Sequence, residues 1–167
     1  VPLERFRAAA ERFGWILVSS YNSRSDTSHD PNSPAMTAMW NDAVRRFSID
    51  GRRVYATGFS GGGRAAVAMA YDLPGRIAGV IGAGAGFADS QAPVKKVPFA
   101  YFGTVGDRDM NYYEMRSLEE KLEAAKDAFA HACPRGGAAE VLEHVLDLAL
   151  TQHAKRMGLV EKPCKEP

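Results

Sequence analysis

Arg53-Val54-Tyr55-Ala56-Thr57-Gly58-Phe59-Ser60-Gly61-Gly62-Gly63-Arg64 is the stretch that decides the fold. Its first six residues read as a strand rich in β-formers that ends at a glycine-rich turn, and helical spacing resumes over 62–72. Within it, Gly58-Phe59-Ser60-Gly61-Gly62 matches G-x-S-x-G and falls between strand and helix, the context this motif requires. The spacing has a steric cause: a side chain presented on a sharp strand-to-helix turn sits in strained backbone, and glycines two positions away let the chain close without a Cβ clash. The Ser60 hydroxyl is then expected to stand clear at the carboxyl end of a sheet, with the Gly61 N–H placed as an oxyanion donor worth about 2.7–4 kcal/mol in a transition state. Two other readings compete. One is a glycine-rich turn that holds an incidental serine. The other is a phosphate loop, since Gly58, Gly63, Arg64 and Ala65 approximate G-x-x-x-x-G-K-[ST]; here Arg64 replaces the lysine and Ala65 has no hydroxyl for Mg²⁺.

Outward from this turn, strands and helices alternate. Leu3, Phe6, Ala10 and Phe13 space a helix over 2–13 that Gly14 ends, and Trp15-Ile16-Leu17-Val18 reads as a buried strand. After a polar loop at 19–33, Ser33 and Pro34 are expected as the N-cap and first residue of a helix whose face carries Met36, Met39, Trp40, Ala43, Val44 and Phe47. Further strands are expected over 77–82 and 99–103. Met115, Leu118, Leu122, Ala125 and Phe129 space another helix, and Val141, Leu142, Val145, Leu146 and Leu148 a last one. Such alternation predicts an α/β protein, a three-layer α/β/α sandwich around a mostly parallel sheet. The Gly82-Ala83-Gly84-Ala85-Gly86 run lacks G-x-G-x-x-G spacing and predicts close backbone approach rather than a dinucleotide site.

The totals set bounds on function. The chain has 167 residues, 46% hydrophobic and 25% charged, which suits one globular domain, expected over 1–167 with 157–167 as a flexible tail. Twenty-one basic residues against 20 acidic give a net charge of +1 with no long like-charge block, so no nucleic-acid or membrane surface is expected. Cys133 and Cys164 form neither a disulfide framework nor a metal-ligand pattern and read as free thiols. No apolar run approaches a membrane span and no signal-peptide core follows the start. Because the chain begins with Val1, it reads as a mature or truncated product, and the compartment stays open between cytoplasmic and secreted.

The two segments Gly58-Phe59-Ser60-Gly61-Gly62-Gly63-Arg64 and Phe99-Ala100-Tyr101-Phe102-Gly103-Thr104-Val105-Gly106-Asp107 resemble the α/β-hydrolase esterases related to polyhydroxybutyrate depolymerases and feruloyl esterases. The likeness runs over roughly 3–130 and again over 140–157. It implies ester hydrolysis through an acyl-serine, with no metal or organic cofactor and a small-molecule ester as substrate. Ser60 would be the nucleophile, Gly61 an oxyanion donor, and Asp107 the acid that orients the imidazole, with Asp109 as its alternative. His131, two residues before Cys133-Pro134, is the best positional match for the general base. His144 and His153 fall on the last expected helix, and His29 precedes the nucleophile, which breaks the family's chain order. His144 with Asp147 could suggest a metal, but two ligands without a third do not make a site.

Two departures accompany the resemblance. No strand is visible between Lys126 and Ala139, so the last strand of the fold is expected to be missing. The resemblance also implies N-terminal strands, one of them between the Trp15 and Arg53 strands, and a second oxyanion donor from the loop after the third strand; these are expected to be missing here as well. A fragment or degraded copy that binds rather than cleaves is therefore the rival to a serine esterase.

Overall fold

A computed structural model describes residues 2–21, 32–88 and 97–124, and the backbone of 129–132. Eight elements follow in chain order: α1 (Pro2–Phe13), α2 (Asn32–Arg46), β1 (Tyr55–Phe59), α3 (Gly61–Asp72), β2 (Gly79–Ala83), β3 (Ala100–Thr104), α4 (Tyr112–Ala124) and β4 (Phe129–Ala132). The four strands form one sheet in the order β1-β2-β3-β4, every pair parallel. The order advances in one direction, and parallel crossovers are right-handed, so the helices that connect the strands fall on one face. There α2, α3 and α4 share a core with the sheet, with Val67, Val80 and Leu122 wholly buried. β2, Gly-Val-Ile-Gly-Ala, is buried at every position, which its two glycines and one alanine permit by letting neighbours close over it.

Several boundaries depart from the periodicity, each for a local reason. Trp15–Val18 is not a strand. The Trp15 N–H closes onto Ala10 O at 2.9 Å, and its ring lies 5.1 Å from that of Tyr55, with the Arg53 guanidinium 5.6 Å from the indole. The segment thus meets β1 through a tilted ring contact and makes no ladder among the described residues. Trp15 and Leu17 join Phe6, Ala9 and Phe13 in a small cluster, while Ile16 and Val18 remain 51% and 48% exposed. α2 starts at Asn32, and the Ser33 hydroxyl donates to Asp72 Oδ2 at the far end of α3 (3.1 Å), tying the two helices together.

The strongest correction concerns the end of the sheet. α4 stops at Ala124, and Phe129 opens β4 although it continues the apolar spacing of that helix. A strand therefore does follow α4 and pairs with β3, contrary to its expected absence. The helix expected from Val141, the tail at 157–167, both cysteines, and His29, His144 and His153 lie outside the described residues.

Candidate active site

Among the described residues Ser60 is the one non-glycine with positive φ, at φ 51° and ψ −123°. Such a conformation costs an L-residue on the order of 1–3 kcal/mol and persists only where the surroundings over-determine it. They do so here from both sides. The Ser60 N–H donates to Ala83 O at the end of β2 (2.8 Å), and its carbonyl accepts the N–H groups of Gly63 (2.8 Å) and Arg64 (3.3 Å). With those two amides engaged, Gly61 and Gly62 hold the first-turn N–H groups of α3 that have no intrahelical acceptor.

Glycine at 58 is obligatory. A methyl group there would lie 2.2 Å from the backbone carbon and oxygen of Gly62 and 2.8 Å from Gly63 N. The glycine on the other side of the serine differs, since a Cβ on Gly62 would meet nothing within 4 Å. Gly58 also belongs to a row: parallel register places Gly58, Gly82 and Gly103 side by side across three strands. Their missing side chains let α3 and the β2–β3 loop press down on the sheet, with Gly63 packed against Gly58 O and the Cα of Gly82.

His131 ends that same row. It lies within β4, opposite Gly103, and not in a loop beyond a strand. Three strand spacings separate it from Gly58, about 14 Å of sheet.

The two candidate acids are placed differently. The Asp107 side chain is 56% exposed and meets the Arg108 guanidinium at 4.0 Å. Asp109 is half-buried, and its Oδ1 accepts the Asn111 N–H (2.8 Å), a two-residue side-chain turn that fixes the carboxylate. Its second oxygen faces the β2–β3 loop: a methyl group on Gly84 would sit 3.1 Å from Asp109 Oδ2 and 2.9 Å from the Phe59 ring. Asp109 thus stands beside the residue that follows the acceptor of the Ser60 N–H.

Sequence reasoning missed three further side chains. Asn111 Nδ2 donates to Gly84 O (2.7 Å), Tyr101 O–H to Ala85 O (3.3 Å), and Glu114 Oε1 accepts from Gly86 N–H (3.0 Å). Arg64 Nη2 reaches both oxygens of Glu114, at 2.8 and 2.6 Å. Of these, Asn111 carried a signal in Asp-Met-Asn, a spacing at which an aspartate bonds the amide two residues on. Burial pushes the Tyr101 phenol above its ordinary range, Glu114 adds to that, and Arg64 opposes it. No group of three or more His, Cys, Asp or Glu among the described residues could hold a metal ion, and no helix among them is long and apolar enough to cross a membrane.

No family model and no curated protein matches the chain. A solved structure does: the enterobactin esterase of Shigella flexneri, determined in the presence of 2,3-dihydroxy-N-benzoyl-serine, superposes with a TM-score of 0.57 at 14% identity. The match covers 78% of this chain and 39% of that enzyme, so the chain spans about two fifths of its length. What it establishes is the α/β-hydrolase fold.

Proposed function

We propose that the chain is a serine hydrolase that cleaves carboxylic esters through an acyl-serine, with Ser60 as nucleophile. One observation carries the reading: the strained Ser60 backbone at a strand-to-helix turn of an α/β-hydrolase fold, tied by hydrogen bonds on both sides. Strain of this kind is retained where it aims a side chain. The Ser60 Oγ would attack the ester carbonyl carbon as a base takes its proton, and the carbonyl oxygen, now negative, would collect hydrogen bonds from the Gly61 N–H. Collapse of the tetrahedral species would expel the alcohol with that proton, and water would release the acid from the acyl-serine by the reverse sequence. The substrate in this reading is a small-molecule ester, of an aliphatic hydroxy acid or an aromatic acid, in keeping with the resemblance to polyhydroxybutyrate depolymerases and feruloyl esterases and with the esterase of like fold.

Asp107 and Asp109 both enter this proposal as the acid. The half-buried, hydrogen-bonded carboxylate that an imidazole partner requires describes Asp109 better than the exposed Asp107. For the base, direct hydrogen bonding needs roughly 2.6–3.2 Å, and a strand position about 14 Å of sheet from Gly58 speaks against His131 in that role. That placement supports a second reading, in which the same fold binds an ester-like ligand without turning it over.

Hydrolysis of p-nitrophenyl butyrate by the purified chain and by Ser60→Ala, Asp107→Asn, Asp109→Asn and His131→Ala separates these readings. The esterase reading expects S60A to abolish turnover, D109N to lower it by about 10²–10⁴-fold, and D107N to leave most of it. Equal rates for wild type and S60A would leave the binding reading.

A further inference from the structure

We infer that Glu114 is a positioning residue which, with Asn111 and Tyr101, locks the loop 84–86 against the Ser60 turn, and that Arg64 closes the lock onto α3. Its catalytic consequence rests on the serine-hydrolase reading; its structural part does not.

The loop begins where Ser60 is held. Ala83 O accepts the Ser60 N–H, and the next three residues are Gly84-Ala85-Gly86, with Gly84 at φ +62°. A Gly-Ala-Gly segment has almost no side chain with which to fix itself and loses much backbone freedom on ordering. Each of its peptides is nonetheless engaged. The Gly84 N–H donates to Thr104 O (2.8 Å), and the Gly84 carbonyl, the Ala85 carbonyl and the Gly86 N–H are taken by Asn111, Tyr101 and Glu114. The holders come from β3, from α4 and from the turn that leads into α4, so the loop is pinned to the far side of the site.

Arg64 turns this set of contacts into a closed ring. Its backbone N–H donates to Ser60 O, and its guanidinium meets the Glu114 carboxylate that holds Gly86. The ring runs from the Ser60 N–H to Ala83, along the chain to Gly86, through Glu114 to Arg64, and back to the Ser60 carbonyl. Both hydrogen-bonded ends of the strained residue are members. Glu114 and Arg64 are each about a third exposed, at 36% and 35%, so water screens their charge and the geometry of the bonds carries the effect. Removing Glu114 should free the loop, loosen the Ser60 N–H from Ala83, and misplace the hydroxyl without altering how an ester is bound.

The test compares Glu114→Ala and Glu114→Gln with Arg116→Ala, which removes the Arg116–Glu119 ion pair on α4 but no contact to the loop. With p-nitrophenyl butyrate as probe, E114A should lower kcat by about tenfold with KM within about twofold. E114Q keeps an acceptor for the Gly86 N–H and should recover most of that loss, while R116A should leave kcat unchanged. Wild-type kcat in E114A, or a rise in KM alone, overturns the inference. Amide hydrogen exchange read by mass spectrometry keeps the two proposals apart. Faster exchange of 59–64 and 83–87 in E114A, restored in E114Q and absent in R116A, supports the lock even if no variant hydrolyses the ester, a result that would remove the esterase reading alone. Unchanged exchange in E114A overturns the lock whatever the kinetics.

Discussion

The Ser60 turn and the Trp15–Val18 segment are both short, both next to β1, and both suggestive in sequence, yet they end in opposite states. At the turn, the Ser60 N–H and carbonyl are engaged within 2.8–3.3 Å and a neighbouring glycine leaves no room for a methyl. At 15–18, an apolar run meets β1 at the Trp15–Tyr55 ring contact, and half of its side chains face outward. The difference teaches that a strand is a property of two chains, whereas a steric turn is a property of one. An apolar run that pairs with no strand among the described residues packs by whichever side chain finds a surface.

Substitutions at the two regions should therefore diverge. The largest effect is expected at Gly58→Ala, where the added carbon meets backbone that cannot swing aside; a loss of more than about 3 kcal/mol should appear in urea melts. Trp15→Ala should cost only about 1–2 kcal/mol, since one ring contact and a small cluster are lost, and Ile16→Thr should stay within about 0.5 kcal/mol. If W15A proved as damaging as G58A, the N-terminal segment would be integral to the sheet and the contrast would fail.

A subtler prediction concerns strain itself. Ser60→Gly relieves the positive φ and should raise stability by about 1 kcal/mol relative to Ser60→Ala, both without activity. Equal melting curves for the two variants would mean that the turn stores no strain. Thr104 Oγ1 is buried at the end of β3 without a hydrogen-bond partner among the described residues, so Thr104→Val should be neutral or stabilising by up to about 1 kcal/mol.

Other effects show only away from neutral pH. Burial raises the Tyr101 phenol, so its contribution is intact below the ordinary tyrosine value of 10.0 and is lost as pH climbs past it and the unfolded chain ionises first. Tyr101→Phe should flatten the alkaline limb of a stability profile by about 1.4 kcal/mol per pH unit above that point. Asp42 behaves in the opposite sense. Hydrogen bonds from Arg46 and Arg45 hold its pKa below the ordinary 3.8, so the benefit is present above that value and fades as pH falls through the lowered one. Asp42→Asn should thus melt slightly lower at neutral pH and match wild type in strong acid.

The same contrast explains what was legible in the sequence. The Ser60 turn could be read because its determinants, Gly58 and the helix start, lie within five residues of one another. β2 and β3 were recognisable from apolar runs and needed shifts of one or two residues only. β4 was hidden because Phe129 continues the spacing of Met115, Leu118 and Leu122, and nothing in that periodicity marks Ala124 as the end of α4. Trp15–Val18 pairs with no strand among the described residues, an outcome that composition cannot report. Around the site, Asp109 was read as the second choice because its support, the Asn111 amide and the Gly84 approach, is partly tertiary. The Arg64–Glu114 pair joins residues 50 apart and left no local trace.

The central claim is that the Ser60 turn presents an activated hydroxyl. Treating the purified chain with a fluorophosphonate and locating the adduct by mass spectrometry tests it most directly. The account predicts one label, on Ser60, lost in Ser60→Ala. A folded chain that takes no label, or takes it on another residue, would contradict it.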